Sequence, residues 1–92
     1  MSAMSDVKRG EEAERLLNSP VYIEAVTKVR EGIISTMQGS SIGDKDLHNK
    51  LVIALQLLGG IEKNIKTIAD TGKMAKIEIE QGLGSKLRKV FN

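Results

Sequence analysis

The feature that most constrains this chain is an unbroken apolar seam. Leu47, Leu51, Ala54, Leu58, Ile61, Ile65 and Ile68 follow one another at steps of 4, 3, 4, 3, 4 and 3. Steps alternating between three and four are the period of one helix face meeting another, and a strand, whose side chains alternate every second residue, cannot produce them. The seam predicts one long helix from about Lys45 to Asp70, with Asp44 as its N-cap. Val52, Ile53, Leu55 and Leu57 lie outside the seam, so residues 51–58 are apolar nearly all round. A three-helix monomer covers only part of that circumference. The surplus face predicts a homo-oligomer joined through residues 51–58 of the long helix.

The rest of the chain reads as helices too. Ser5-Asp6 can cap a short first helix running to about Leu17, but Gly10 weakens its first turns by about 1 kcal/mol relative to Ala. Residues 1–10 are therefore expected as a flexible arm, 11–81 as the helical domain and 82–92 as a basic amphipathic tail, in which Lys86, Arg88 and Lys89 alternate with Leu87, Val90 and Phe91. Ser19 then reads as an N-cap and Pro20 as the first residue of a second helix, where its missing N–H costs nothing. The stripe Tyr22, Val26, Val29, Ile33 and Met37 carries that helix to about Met37, and the glycines and serines of residues 38–43 make a loop. Thr71-Gly72-Lys73 looks like a helix stop, with Gly72 at a left-handed cap. Residues 74–81 add a short helix or an extension, and Gly82 and Gly84 loosen the chain. The fold class is all-α, a small helical bundle.

Composition narrows the chemistry. With 92 residues, no Cys, no Trp, one Tyr, one Phe and one His, the chain is one domain with a thin aliphatic core. Thiolate sites, disulfides and His-rich zinc sites are excluded, and no cofactor or metal is expected. His48, near the start of the long helix, shares its helix face with only one carboxylate, Asp44, and reads as a solvated histidine. Gly82-Leu83-Gly84-Ser85-Lys86 and Gly72-Lys73 both lack the spacing of a phosphate loop. Paired carboxylates such as Glu11-Glu12, or Glu78 and Glu80, have no apolar pocket to raise a pKa, so the chain is not expected to be an enzyme. No apolar run is long enough for a signal peptide or a membrane span, which predicts a cytoplasmic protein.

Charge is uneven. Residues 1–62 carry 7 basic and 9 acidic side chains, and residues 63–92 carry 7 basic and 3 acidic, so the positive potential sits in the last third. Lys63, Lys66 and Lys73 share a face, which is either a solvated face or an anion-binding one. The excess is too small, and too poor in Arg, for duplex DNA or RNA. Tyr22 is the one aromatic in the body of the chain. It is either the first core residue of its stripe or a stacking platform for a nucleobase. Gly59-Gly60 interrupts the long helix and marks close helix packing, a gentle kink or a ligand approaching the backbone.

Leu16-Leu17-Asn18-Ser19-Pro20-Val21-Tyr22, the Asp44-capped Leu-rich helix and the run Ile68-Ala69-Asp70-Thr71-Gly72-Lys73-Met74-Ala75 resemble a family of small phage-encoded helical proteins, over residues 11–76. The resemblance is to the anti-CBASS sponges, which sequester the cyclic di- and trinucleotide signals of bacterial antiphage defence. It implies a cyclic oligonucleotide ligand, Tyr22 stacking on a base, and phosphate contacts from a lysine of the second helix. Residues 33–38 offer no such lysine, which leaves Lys28 and Arg30; charge and position add Thr71 and Lys73 as further candidate contacts. It implies binding without turnover. The reading from a different class is an oligomeric structural or interaction protein of a phage particle or its assembly, with no small-molecule ligand.

Overall fold

The computed structural model describes the backbone of residues 2–91 and the side chains of residues 2–82. It is all-helical: α1 (Ala3–Leu17), α2 (Pro20–Gly39) and α3 (Lys45–Phe91). The chain divides into two units, one formed by residues 1–16 with 65–92 and the other by residues 17–64. The side chains of the basic tail, and with them its expected amphipathic face, lie outside the described residues from position 83 onward.

Local signals set the helix ends in residues 17–64. Ser19, at φ −70° and ψ 122°, is the N-cap of α2, and its hydroxyl accepts a hydrogen bond from the Tyr22 N–H at 3.4 Å, with Pro20 next in the chain. Asp44 caps α3, its Oδ1 accepting from the Leu47 N–H at 3.1 Å. Between these, α2 runs two residues beyond Met37 and ends at Ser40, whose N–H and hydroxyl both donate to the Met37 carbonyl, at 3.4 and 2.7 Å. The Ser40 hydroxyl also lies 2.5 Å from Nε2 of His48, one turn into α3. With the hydroxyl hydrogen committed to Met37, Nε2–H is the donor to Ser40. His48 is thus half-buried and tied to the loop instead of solvated. Replacing it with Ala is expected to destabilise residues 17–64 by about 1 kcal/mol in denaturant unfolding, the ordinary worth of one such bond.

Half-buried residues in this unit are Tyr22, Val26, Ile33 and Met37 on α2 and Leu47, Leu51, Ala54, Leu55 and Leu58 on α3. The seam holds down to Leu58 and then turns by one residue. Ile61 is 56% exposed while Glu62 faces inward and pairs with Arg30 of α2. A straight helix has 3.6 residues per turn, so a strict heptad drifts around it and a neighbour on one side selects the next residue. No residue of 17–64 is fully buried.

The other unit is built on small residues. α1 buries Gly10 and Ala13, and the facing part of α3 buries Ala69, Gly72 and Ala75. A Cβ placed on Gly10 would lie 2.6 Å from the Gly72 Cα, and one on Gly72 would lie 2.6 Å from the Gly10 Cα and 2.9 Å from the Asp6 carbonyl oxygen. Backbone meets backbone here, which only paired glycines permit. This corrects the expected helix stop. Gly72 is not a left-handed cap; no described glycine has positive φ, and α3 runs on through residues 71–82 because its backbone ladder needs no side chain at 72. Gly10, expected to weaken α1, is where α1 docks, and residues 3–10 are helical.

Candidate functional site

The five residues singled out from sequence fall into the two units: Tyr22, Lys28 and Arg30 in residues 17–64, Thr71 and Lys73 in the other.

Ser19 and Pro20 fix the first turn of α2, and so the direction of Tyr22. Its side chain is half-buried, and its hydroxyl is shut off from solvent with no hydrogen-bond partner among the described residues. An enclosed hydroxyl without a partner costs about 1–3 kcal/mol. Tyr22→Phe is therefore expected to raise the stability of the free protein by about 1 kcal/mol, as read by denaturant unfolding.

The cations near it are engaged. Lys28 pairs with Glu24 at 2.9 Å, one turn back on the exposed side of α2. Six residues separate Lys28 from Tyr22, which puts them about 120° apart around a helix of 3.6 residues per turn, on different faces. Arg30, about 80° from Tyr22 by the same count, borders the half-buried stripe and is spent on Glu62. Both pairs are substantially exposed, so each is worth only about 0–1 kcal/mol and can be exchanged for a stronger anion.

In the other unit Lys73 bridges to Glu14 of α1 at 3.3 Å, beside the Gly10–Gly72 crossing. Thr71 lies on the other side of α1, lining a recess of about 300 Å³ with Asp6, Arg9, Thr67 and Ile68. Next to it is a larger open cleft of about 490 Å³, with an apolar floor of Ala13, Leu16, Ile65 and Ile68 edged by Arg9, Glu12 and Arg15. Arg9 and Ile68 belong to both. Arg9 and Arg15 are not among the residues singled out from sequence; positions 9, 12, 13 and 16, at helical spacing, are the signal that points to them.

Comparison with protein-family models, curated proteins and solved structures finds no match in any of the three. The residues alone carry the reading.

Among the described residues no group of three or more His, Asp or Glu could hold a metal ion. None of the described helices is long and apolar enough to cross a membrane. What the surface does offer is apolar area. On residues 17–64, Val21, Ile23, Val29, Ile34, Val52, Ile53, Leu57 and Ile61 are exposed, and on the other unit Met4, Leu16, Met74, Ile77 and Ile79 are. Single exposed aliphatics are ordinary, but so many beside a core whose buried hydrophobics, among the described residues, are three alanines leave the described apolar residues largely unused.

Proposed function

We propose that this chain acts by association: a homo-oligomeric helical interaction protein whose subunits complete one another's core. One observation carries the reading. In residues 17–64 no side chain is fully buried, while Ile53, Leu57 and Ile61 on α3 are 53%, 65% and 56% exposed. Burying a Leu or Ile side chain completely is worth about 1.5–3 kcal/mol, so these residues are a large reserve of association energy. The resemblance to small phage proteins gives such an oligomer a setting, the phage particle or its assembly. Sedimentation equilibrium at tens of micromolar tests the proposal; a strictly monomeric protein overturns it.

A second reading has its own supporting observation: Tyr22, the one aromatic of residues 17–64, is held half-buried in the first turn of α2 beside the Ser19 cap. In it the oligomer sequesters a cyclic di- or trinucleotide without turnover, bases stacking on Tyr22 and phosphates drawing Lys28 or Arg30 from their carboxylates, with Thr71 and Lys73 as further contacts at a subunit boundary. Base–aromatic stacking is worth about 1–3 kcal/mol. Tyr22→Ala is then expected to weaken binding at least tenfold in calorimetry with cyclic di- and trinucleotides, and Tyr22→Phe to retain most of it. No heat of binding to the wild-type oligomer at micromolar ligand removes this reading and leaves the first intact.

A further inference from the structure

The half-buried stripe of α2 is Tyr22, Val26, Arg30, Ile33 and Met37. The apolar pattern of the sequence offers Val29 for the third place, yet Val29 is 52% exposed and Arg30 takes it. The same exchange occurs on α3, where Ile61 is 56% exposed and Glu62 faces inward. On both helices an aliphatic is turned out, the charged residue directly after it is turned in, and the two inward charges are the ones that pair. Packing strength does not account for this choice. A partly exposed ion pair contributes little, whereas burying aliphatic surface is the main source of helix–helix stability. The best-attested use of a charged or polar group inside a helix seam is to fix which faces meet.

The geometry makes a second packing close at hand. α2 and α3 run antiparallel within residues 17–64, since Ser40 meets His48 and Arg30 meets Glu62. At 100° per residue, Arg30 and Glu62 stand about 30–40° to one side of the centre of their stripes, and Val29 and Ile61 about 60–70° to the other. In an antiparallel pair, residues displaced to the same hand lie on the same side of the interface. Arg30 and Glu62 therefore close one side, while Val29 and Ile61 lie across the other, about 3 Å apart along the axes. Opposed turns of about 20° in each helix, in the sense of two meshed gears, bring the aliphatics inward and the charges outward. Tyr22, Val26, Ile33, Met37, Leu51 and Leu58 stay inside in both positions, so the two packings share most of their core. We propose that the Arg30–Glu62 pair is a register pin: it selects one of two packings of α2 on α3, and without it both helices turn until Val29 meets Ile61. The exposure of these two aliphatics is then conditional on the pair, and a group that takes Arg30 from Glu62 withdraws apolar surface from residues 17–64. The inference concerns a single chain and rests on neither reading of function given above.

Nuclear Overhauser contacts between the Val29 and Ile61 methyl groups read the packing directly. The full chain, labelled at its Val and Ile methyls, is diluted into excess unlabelled chain so that contacts between copies drop out. Because the effect falls with the sixth power of distance, the Val29–Ile61 cross-peak should be weak in the wild type and grow at least threefold in Arg30→Gln and in Glu62→Gln. Helical content by circular dichroism should not fall in either variant, since the helices re-pack instead of melting. Exchanging the charges, Arg30→Glu with Glu62→Arg, should restore the weak cross-peak. An unchanged cross-peak in both single variants overturns the proposal, because the pair then selects nothing. Loss of helix in either does so too, because the second packing then does not exist. A cross-peak that grows in the charge exchange is equally against it, since a reversed pair pins the same register.

Discussion

Gly72→Ala is expected to destabilise the unit of residues 1–16 and 65–92 by about 1–3 kcal/mol, the range for forcing extra atoms into a packed contact. Two effects of opposite sign meet at this position. Alanine favours the helical backbone over glycine by about 1 kcal/mol. Against that, the new Cβ would lie 2.6 Å from the Gly10 Cα and 2.9 Å from the Asp6 carbonyl oxygen, and both obstacles are backbone, so no side chain can rotate away. The helices must separate. Separation also uncovers Ala13, Ala69 and Ala75, the only buried hydrophobic residues among those described. Gly32→Ala is the control: a Cβ there meets nothing within 4 Å, so only the helix term acts. It should stabilise the protein by about 0.5–1 kcal/mol. Denaturant unfolding of the two variants beside wild type reads both signs, and equal small gains in both would show that the Gly10–Gly72 contact contributes nothing.

What was legible in the sequence was what is decided within a few residues. Ser19-Pro20 and Asp44 cap their helices as their side-chain chemistry requires, because a cap is satisfied by N–H groups two or three positions away. The seam gave α3 and its approximate inner face for the same reason. What was not legible depends on partners distant in the chain. Gly72 followed by Lys73 has the local signature of a helix stop, and nothing within reach of a turn distinguishes that from a glycine awaiting another glycine 62 positions earlier. Nothing local links Arg30 to Glu62, 32 positions later, and their pairing replaces Ile61 on the inner face. The candidate site was legible as residue types and not as an arrangement. Tyr22 stood out by being alone, and Glu24 one turn before Lys28 was within local reach, yet the carboxylates holding Arg30 and Lys73 and the cleft edged by Arg9 and Arg15 arise from helices meeting side by side.

Leu57→Lys should abolish self-association at concentrations where the wild type is assembled, and leave the helices intact. The single chain has little invested in this side chain, which is 65% exposed, so helical content and the unfolding of residues 17–64 should change by less than about 0.5 kcal/mol, the usual range for surface substitutions. Association loses far more. Each copy forfeits the burial of one leucine, about 1.5–3 kcal/mol, so a pair of copies loses it twice while each sets an ammonium group against an apolar surface. A total of about 3–6 kcal/mol corresponds to a weakening of about 150- to 20,000-fold. Val21→Lys, at a position 74% exposed on α2 and off the α3 stripe, introduces the same charge in the same unit and should alter association by less than a factor of three. The contrast between the two lysines separates a specific contact from general repulsion between more positive chains. Sedimentation at two salt concentrations sharpens it: high salt screens repulsion between exposed charges and would restore assembly if that were the whole effect, whereas a missing apolar contact is not restored by salt.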